Sequence, residues 1–206
     1  MTGFQQFKHF AAFDLETTGL YAAAGDTVVE VALIIVADGK PVDSFHRYYM
    51  PKGKLSPEVR AIHGLNRRTV RKLRREQGAE YPERWGKDWG SLVKWWKEND
   101  IEIIAAHNIK FDASFFPYGA LDGFRKICTM ENLTDYCNIE TFFGDTIRDG
   151  VWDSKWPKLM EAFDILKADG RLRQIFPEEE MSNLTPHSAM DDTKVVACLV
   201  ASMYVS

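Results

Sequence analysis

The strongest constraint on this chain is a strand that begins apolar and ends in two acids on one face. Phe10-Ala11-Ala12-Phe13 runs directly into Asp14-Leu15-Glu16-Thr17-Thr18-Gly19. Successive strand side chains alternate faces, so Asp14 and Glu16 project together while Phe13 and Leu15 face the other way. Gly19 permits the sharp exit that such a strand end needs. Two adjacent carboxylates repel unless a cation sits between them, and oxygen ligands of this kind suit magnesium or manganese. A solvated strand end with two acids has the same pattern, so this stretch alone leaves both readings open.

Two further segments add acids. His107-Asn108-Ile109-Lys110-Phe111-Asp112 follows the strand-like run 101–106. Asn108 suits an N-cap, and Phe111 with Phe115 at i, i+4 anchors the new helix, which puts Asp112 in its first turn. His187-Ser188-Ala189-Met190-Asp191-Asp192 opens the last helix, where Val196, Leu199 and Met203 follow Asp192 at spacings of 4, 3 and 4. Asp192 therefore lies on the stripe that faces the core. Asp191 points elsewhere, and Ser188-x-x-Asp191 reads as a variant capping box.

Taken together, Phe13-Asp14-Leu15-Glu16-Thr17-Thr18-Gly19, His107-Asn108-x-x-Phe111-Asp112 and His187-x-x-x-x-Asp192 resemble the three motifs of the DEDDh 3′→5′ exonucleases. That family includes the proofreading epsilon subunit of bacterial replicative DNA polymerase and ribonuclease T. The likeness runs from about His9 to the last helix, with Ile62-His63-Gly64-Leu65 as a secondary element. Lys126-Ile127-Cys128-Thr129-Met130 and Lys155-Trp156-Pro157-Lys158-Leu159 are similar to linking segments of some members.

The resemblance implies a ribonuclease H-like fold and a hydrolase that releases nucleoside 5′-monophosphates from the 3′ end of DNA, with single-stranded or frayed ends preferred. It also implies two Mg2+ (or Mn2+) ions as cofactors, about 3.5–4 Å apart. On this analogy Asp14 bridges both metals, Glu16 and Asp192 complete the first site, and Asp112 supports the second. His187 is the general base, imidazole being the side chain suited to proton transfer near neutral pH. Thr17, Thr18 and Leu20 seat the terminal nucleotide, His63 and His107 line its pocket, and Phe111 borders it. For each of these six a plain structural role is the alternative.

Composition bounds the rest. At 206 residues one domain spanning 1–206 is expected. No apolar run is long enough to span a membrane, and the N-terminus lacks a basic-then-apolar signal pattern. Three cysteines without zinc-type spacing read as thiols in a reducing compartment, so a cytoplasmic protein is expected. A net charge of −4 looks wrong for a nucleic-acid enzyme, but the four site acids account for that much, and bound metals would offset them. Arg67-Arg68-Thr69-Val70-Arg71-Lys72-Leu73-Arg74-Arg75 reads either as a phosphate-contacting arm or as a solvated helix face. Trp95, Trp96, Trp152 and Trp156 read as fold residues.

Hydrophobic periodicity predicts strands at 9–16, 27–37, 42–50, 101–106 and 124–128, with Asp38-Gly39 as a hairpin signal. Helices are expected at 57–63, 67–76, 88–99, 110–118, 130–137, 157–166 and 188–204. The result is an α/β arrangement, a mixed five-stranded sheet flanked by helices. The segment 67–90 is longer than the family minimum, and the chain stops after its last helix. These features favour a stand-alone exonuclease of repair or phage type over a polymerase-bound proofreader. An exoribonuclease trimming RNA is the alternative within the class; a non-catalytic nucleic-acid-binding domain is the alternative outside it, opposed by the intact acids.

Overall fold

The computed structural model describes residues 7–140 and 154–203. Its five-stranded sheet has the order β3-β2-β1-β4-β5, with β1 at His9–Thr17, β2 at Val28–Ala37, β3 at Lys40–Tyr48, β4 at Ile103–Ala106 and β5 at Arg125–Cys128. The first three strands form an antiparallel meander, and β4 and β5 add parallel to it. Asp38 and Gly39, both at positive φ (48° and 75°), make the β2–β3 turn. A two-residue hairpin needs that conformation to match the twist of its strands.

The helices are α1 (Pro57–His63), α2 (Arg67–Glu76), α3 (Trp89–Glu98), α4 (Ile109–Ala113), α5 (Thr129–Cys137), α6 (Leu159–Ala168), α7 (Glu178–Ser182) and α8 (Ala189–Ser202). They cover both faces of the sheet, and β1 shows how. Ala11, Phe13 and Leu15 pack with Trp85, Leu92, Trp96 and Phe116 on one face. Phe10 and Ala12 pack with Phe163, Leu166, Val196 and Leu199 on the other. Alternation along a single strand thus feeds two separate cores, and Asp14 and Glu16 continue the row that faces α8.

Several expectations are corrected here. The helix expected over 110–118 ends at Ala113, and Phe115 and Phe116 turn back into the core beyond it. Asn108 stands at its N-cap, but its side chain caps nothing. The strand expected from 101 starts at Ile103, α6 begins at Leu159, and α7 lay in a stretch with no apolar periodicity to announce it. Trp156 is 61% exposed, whereas Trp96 is fully buried and the Trp85 indole donates to the Phe115 carbonyl at 2.7 Å. The last helix, expected to run to Tyr204, ends at Ser202 with Met203 as its C-cap, and Trp152 lies outside the described residues. No helix among those described is long and apolar enough to cross a membrane.

Candidate active site

Three elements meet at the C-terminal end of β1. β1 itself carries Asp14 and Glu16 onto the α8 face. At the start of α8, the buried Thr193 hydroxyl lies 2.6 Å from the Ala189 carbonyl of its own helix and 3.2 Å from the Ala32 carbonyl of β2, which seats the first turn, with Asp192, against the sheet. α4 supplies Asp112. Because β4 pairs with β1 only at Ala11 and Ala12, that edge of β1 is open further along, and the Leu15 backbone there favours the charged form of the Asp112 carboxyl.

One ligand atom each from Glu16, His187 and Asp192 lies within 4.8 Å of the other two. Asp14 and Asp112 stand outside this trio but share its electrostatic field. Burial, then the charges of Asp112, Glu16 and Asp192, push the Asp14 carboxyl well above the usual carboxylate range. Burial raises Asp112 to about 7 and Asp192 to about 6. Glu16 is raised to about 9, by burial first and then by the charge of Glu30. Among the described residues no lysine or arginine forms an ion pair with Asp14, Glu16, Asp112 or Asp192. Glu16 and Asp112 are buried and Asp14 and Asp192 half-buried, so an acid cluster without a counter-charge among the described residues, offering hard oxygen donors, fits a divalent cation.

His187 is exposed and sits at φ 60°, a left-handed conformation that costs a residue with a Cβ about 1 kcal/mol or more. Its N–H donates to Asp192 Oδ2 at 3.2 Å, so the carboxylate also holds the loop that presents the imidazole. The capping box expected at Ser188 does not form, since Ser188 makes no side-chain cap. Asp191 instead accepts from Thr185 N–H at 2.9 Å and lies 3.2 Å from Lys194 Nζ.

The turn after β1 is built around Asp26. Its carboxylate accepts from the Thr18 hydroxyl and from Tyr21 N–H, each at 3.0 Å. A Cβ on Gly19 would lie 2.4 Å from Asp26 Oδ2, so a side chain here would have to displace the carboxylate that Thr18 and Tyr21 hold. The Thr17 hydroxyl donates to the Gly19 carbonyl at 2.7 Å. Both threonine hydroxyls are therefore engaged within the turn, while Leu20, 66% exposed, stands out from it.

The two histidines expected to line a pocket are likewise held from within. His63 Nδ1 accepts Leu65 N–H at 3.0 Å, and Nε2 lies 3.2 Å from the Thr17 carbonyl. Burial lowers the His63 pKa, in keeping with a neutral ring that joins α1 to the end of β1. His107 bridges Thr129 Oγ1 and the Pro157 carbonyl, both at 2.9 Å, and burial lowers its pKa too. Phe111 is half-buried against Phe115, with ring centroids 5.2 Å apart.

Two acids were missed by sequence reasoning, Asp26 and Glu30. Glu30 had a signal: it is the one charged residue in the otherwise apolar β2. Asp26 had none, because its two partners meet it only in the folded turn.

Residues 11–200 match the RNase_T family, described as exonuclease. A PolC-type DNA polymerase III from Oceanobacillus iheyensis is 33% identical over 112 residues, 53% of this chain and 7% of that protein. The 3′-5′ exonuclease DinG of Bacillus subtilis is 25% identical over 112 residues, 54% of this chain and 11% of that protein. The chain thus spans about a tenth or less of the length of these curated relatives. A solved structure of exonuclease X in complex with 5′ overhanging duplex DNA superposes with a TM-score of 0.56 at 23% identity, covering 94% of this chain and 90% of that one. The shared fold is ribonuclease H-like.

Proposed function

This chain belongs to the RNase_T exonuclease family, and from that membership and the acid cluster we propose that residues 1–206 act as one metal-dependent 3′→5′ exonuclease domain on DNA. The observation that carries the reading is the approach of Glu16, His187 and Asp192 to within 4.8 Å with no lysine or arginine of the described residues paired to the acids. Asp14, Glu16, Asp112 and Asp192 would hold the divalent cations, two Mg2+ or Mn2+ ions in this reading. When bound, such cations neutralise phosphate charge and make a coordinated water more acidic.

The chain's own residues do the rest. His187 takes the proton of the attacking water on a ring nitrogen, held in place by its backbone bond to Asp192. Leu20 presses on the last base. The Thr18 N–H is spent on the Thr27 carbonyl at 2.9 Å, so the terminal hydroxyl is met by the next backbone donors, Gly19 and Leu20. Thr17, Thr18, His63 and His107 shape this seat through the turn and framework bonds they make, and Phe111 borders it. A closed turn of this kind admits a chain end more readily than an internal nucleotide.

The PolC-type and DinG relatives make proofreading or repair the setting we propose, in a reducing cytoplasm where Cys128, Cys137 and Cys198 stay free thiols. The test is incubation with 3′-blocked and free-ended single-stranded DNA, duplex DNA and RNA, each with Mg2+ and with chelator. Mononucleotides should appear only from free 3′ ends of DNA and only with metal. Rapid cutting of a closed single-stranded circle, or full activity in excess chelator, would overturn the reading.

A further inference from the structure

Glu30 is a buried acid beside the proposed metal cluster that the four-carboxylate set leaves out. It is 3% exposed and lies directly opposite Glu16 in the antiparallel β1–β2 register. Opposed residues of such a pair project to the same face with Cβ atoms about 5 Å apart, and like charges placed there destabilise the sheet. Nothing in the strand requires an acid at this position: its neighbours Val28, Val29, Val31 and Ala32 are all fully buried.

The far side of Glu30 is secured by β3. His46 Nε2 lies 2.8 Å from Glu30 Oε1, and Tyr48 flanks the same carboxylate from the neighbouring strand. His46 and Tyr48 sit two residues apart on one strand face, their ring centroids 4.8 Å from each other. Register places Tyr48 opposite Glu30 and His46 opposite Ala32. His46 from the neighbouring strand thus holds, and Tyr48 flanks, a carboxylate whose own strand partner is a cluster acid.

We propose that Glu30 is a positioning residue of the cation site: anchored by His46 and flanked by Tyr48, it fixes a fifth negative charge behind Glu16 and thereby tightens divalent-cation binding without being a ligand. The proposal rests on the metal-site reading given above. The arrangement trades stability of the metal-free sheet for affinity, since the charge that repels Glu16 in the empty site attracts the cation in the filled one.

The test uses Mn2+ binding by titration calorimetry without nucleic acid, alongside thermal melting with and without Mn2+. Glu30→Gln keeps shape and hydrogen bonding but removes the charge. It should weaken Mn2+ binding by about tenfold, the scale of one charge lost a few ångströms from a divalent ion in a partly screened site. Its metal-free melting temperature should hold or rise. Glu30→Asp keeps the charge but withdraws it, and should fall between the two; it carries the test if Glu30→Gln does not fold. Asp14→Asn separates the two readings. If it leaves Mn2+ binding intact, the metal-site reading itself fails. If it abolishes binding while Glu30→Gln, or Glu30→Asp in its place, binds like the original chain, only the role of Glu30 fails. A purely structural Glu30 would show the opposite signature, a lower metal-free melting temperature with unchanged affinity in the folded protein.

Discussion

The molecule has two dense charged regions, and they use charge in opposite ways. The acids at the end of β1 are scattered over the sequence, brought together by three elements, buried or half-buried, and left without a cationic partner among the described residues. The arginines of α2 are contiguous in sequence, and the fold separates them. Asn66 starts the helix by accepting from Arg68 and Thr69 N–H at 2.8 and 3.1 Å, and Val70 then faces the core. That orientation buries Arg74, which donates to the carbonyls of Tyr48 at 2.6 Å, Tyr81 at 2.8 Å and Pro82 at 3.3 Å, with its guanidinium 4.4 Å from the Tyr81 ring. Arg67 donates to the Pro51 carbonyl at 3.0 Å. Only Arg68, Arg71 and Arg75 are exposed without such a bond. Charge density along a sequence therefore overstates what α2 can offer a nucleic acid, whereas it understates the field at the acid cluster.

The most severe way to break this contrast is Asp14→Ala. Activity should fall by about 10⁴-fold or more, since the metals supply several kcal/mol of transition-state stabilisation. The fold should survive, and the metal-free melting temperature should hold or rise as repulsion is relieved. A collapsed fold would mean that Asp14 is a structural acid.

Next in size is His187→Ala, with turnover lower by about 10²–10⁴-fold and metal affinity kept, read by steady-state kinetics beside Mn2+ titration. Asp191→Ala should instead cost only about 1 kcal/mol of stability, from its bonds to Thr185 and Lys194, and leave turnover nearly intact. Reversed outcomes would show that the facing of α8 is misread.

Arg74→Gln should destabilise the fold by about 2–3 kcal/mol in denaturant melts, because it strands buried carbonyls. Changing Arg68, Arg71 and Arg75 together to glutamine should move stability by about 0.5 kcal/mol each or less. Any phosphate contact they make will appear as a flatter salt dependence of single-strand binding, about 0.7 in log–log slope per contact. An unchanged slope makes the whole outer face of α2 a solvated surface.

The smallest effect is the pH dependence of the metal-free protein. Asp192, Asp112 and Glu16 titrate at about 6, about 7 and about 9 in the fold, above their ordinary values of 3.8, 3.8 and 4.5. Groups raised on folding stabilise below their unfolded pKa and lose that contribution as pH climbs through the folded one. The metal-free melting temperature should therefore fall between about pH 4 and 9, and saturating Mg2+ should flatten the slope. A melting temperature that rises over that range would contradict the crowding of these acids.

Much of this was legible from residues alone. The facing of Asp14 and Glu16, the start of α1 at Pro57, the span of α2 and the Asp38-Gly39 hairpin depend on neighbours within a few positions, and backbone geometry carries that information locally. The inward facing of Asp192 was readable for the same reason, from helical spacing. What stayed hidden were partnerships across long separations. Glu30 faces Glu16 only because β1 and β2 pair in one register. His63 and His107 find their partners 46 and 50 residues away. The Ser188 box was plausible locally, but Asp191 had a better partner in the turn before it.

Local order therefore determined which side chains share a face, and with that the acid rows and the α/β layering, because the periods of strand and helix are properties of the backbone. Tertiary structure alone decided which charges are buried and answered: Arg74 by three carbonyls, Glu30 by His46, and the acids at the end of β1 by no lysine or arginine of the described residues. Desolvation and hydrogen-bond satisfaction depend on what surrounds a group in three dimensions, and a sequence does not carry that until the chain has closed on itself.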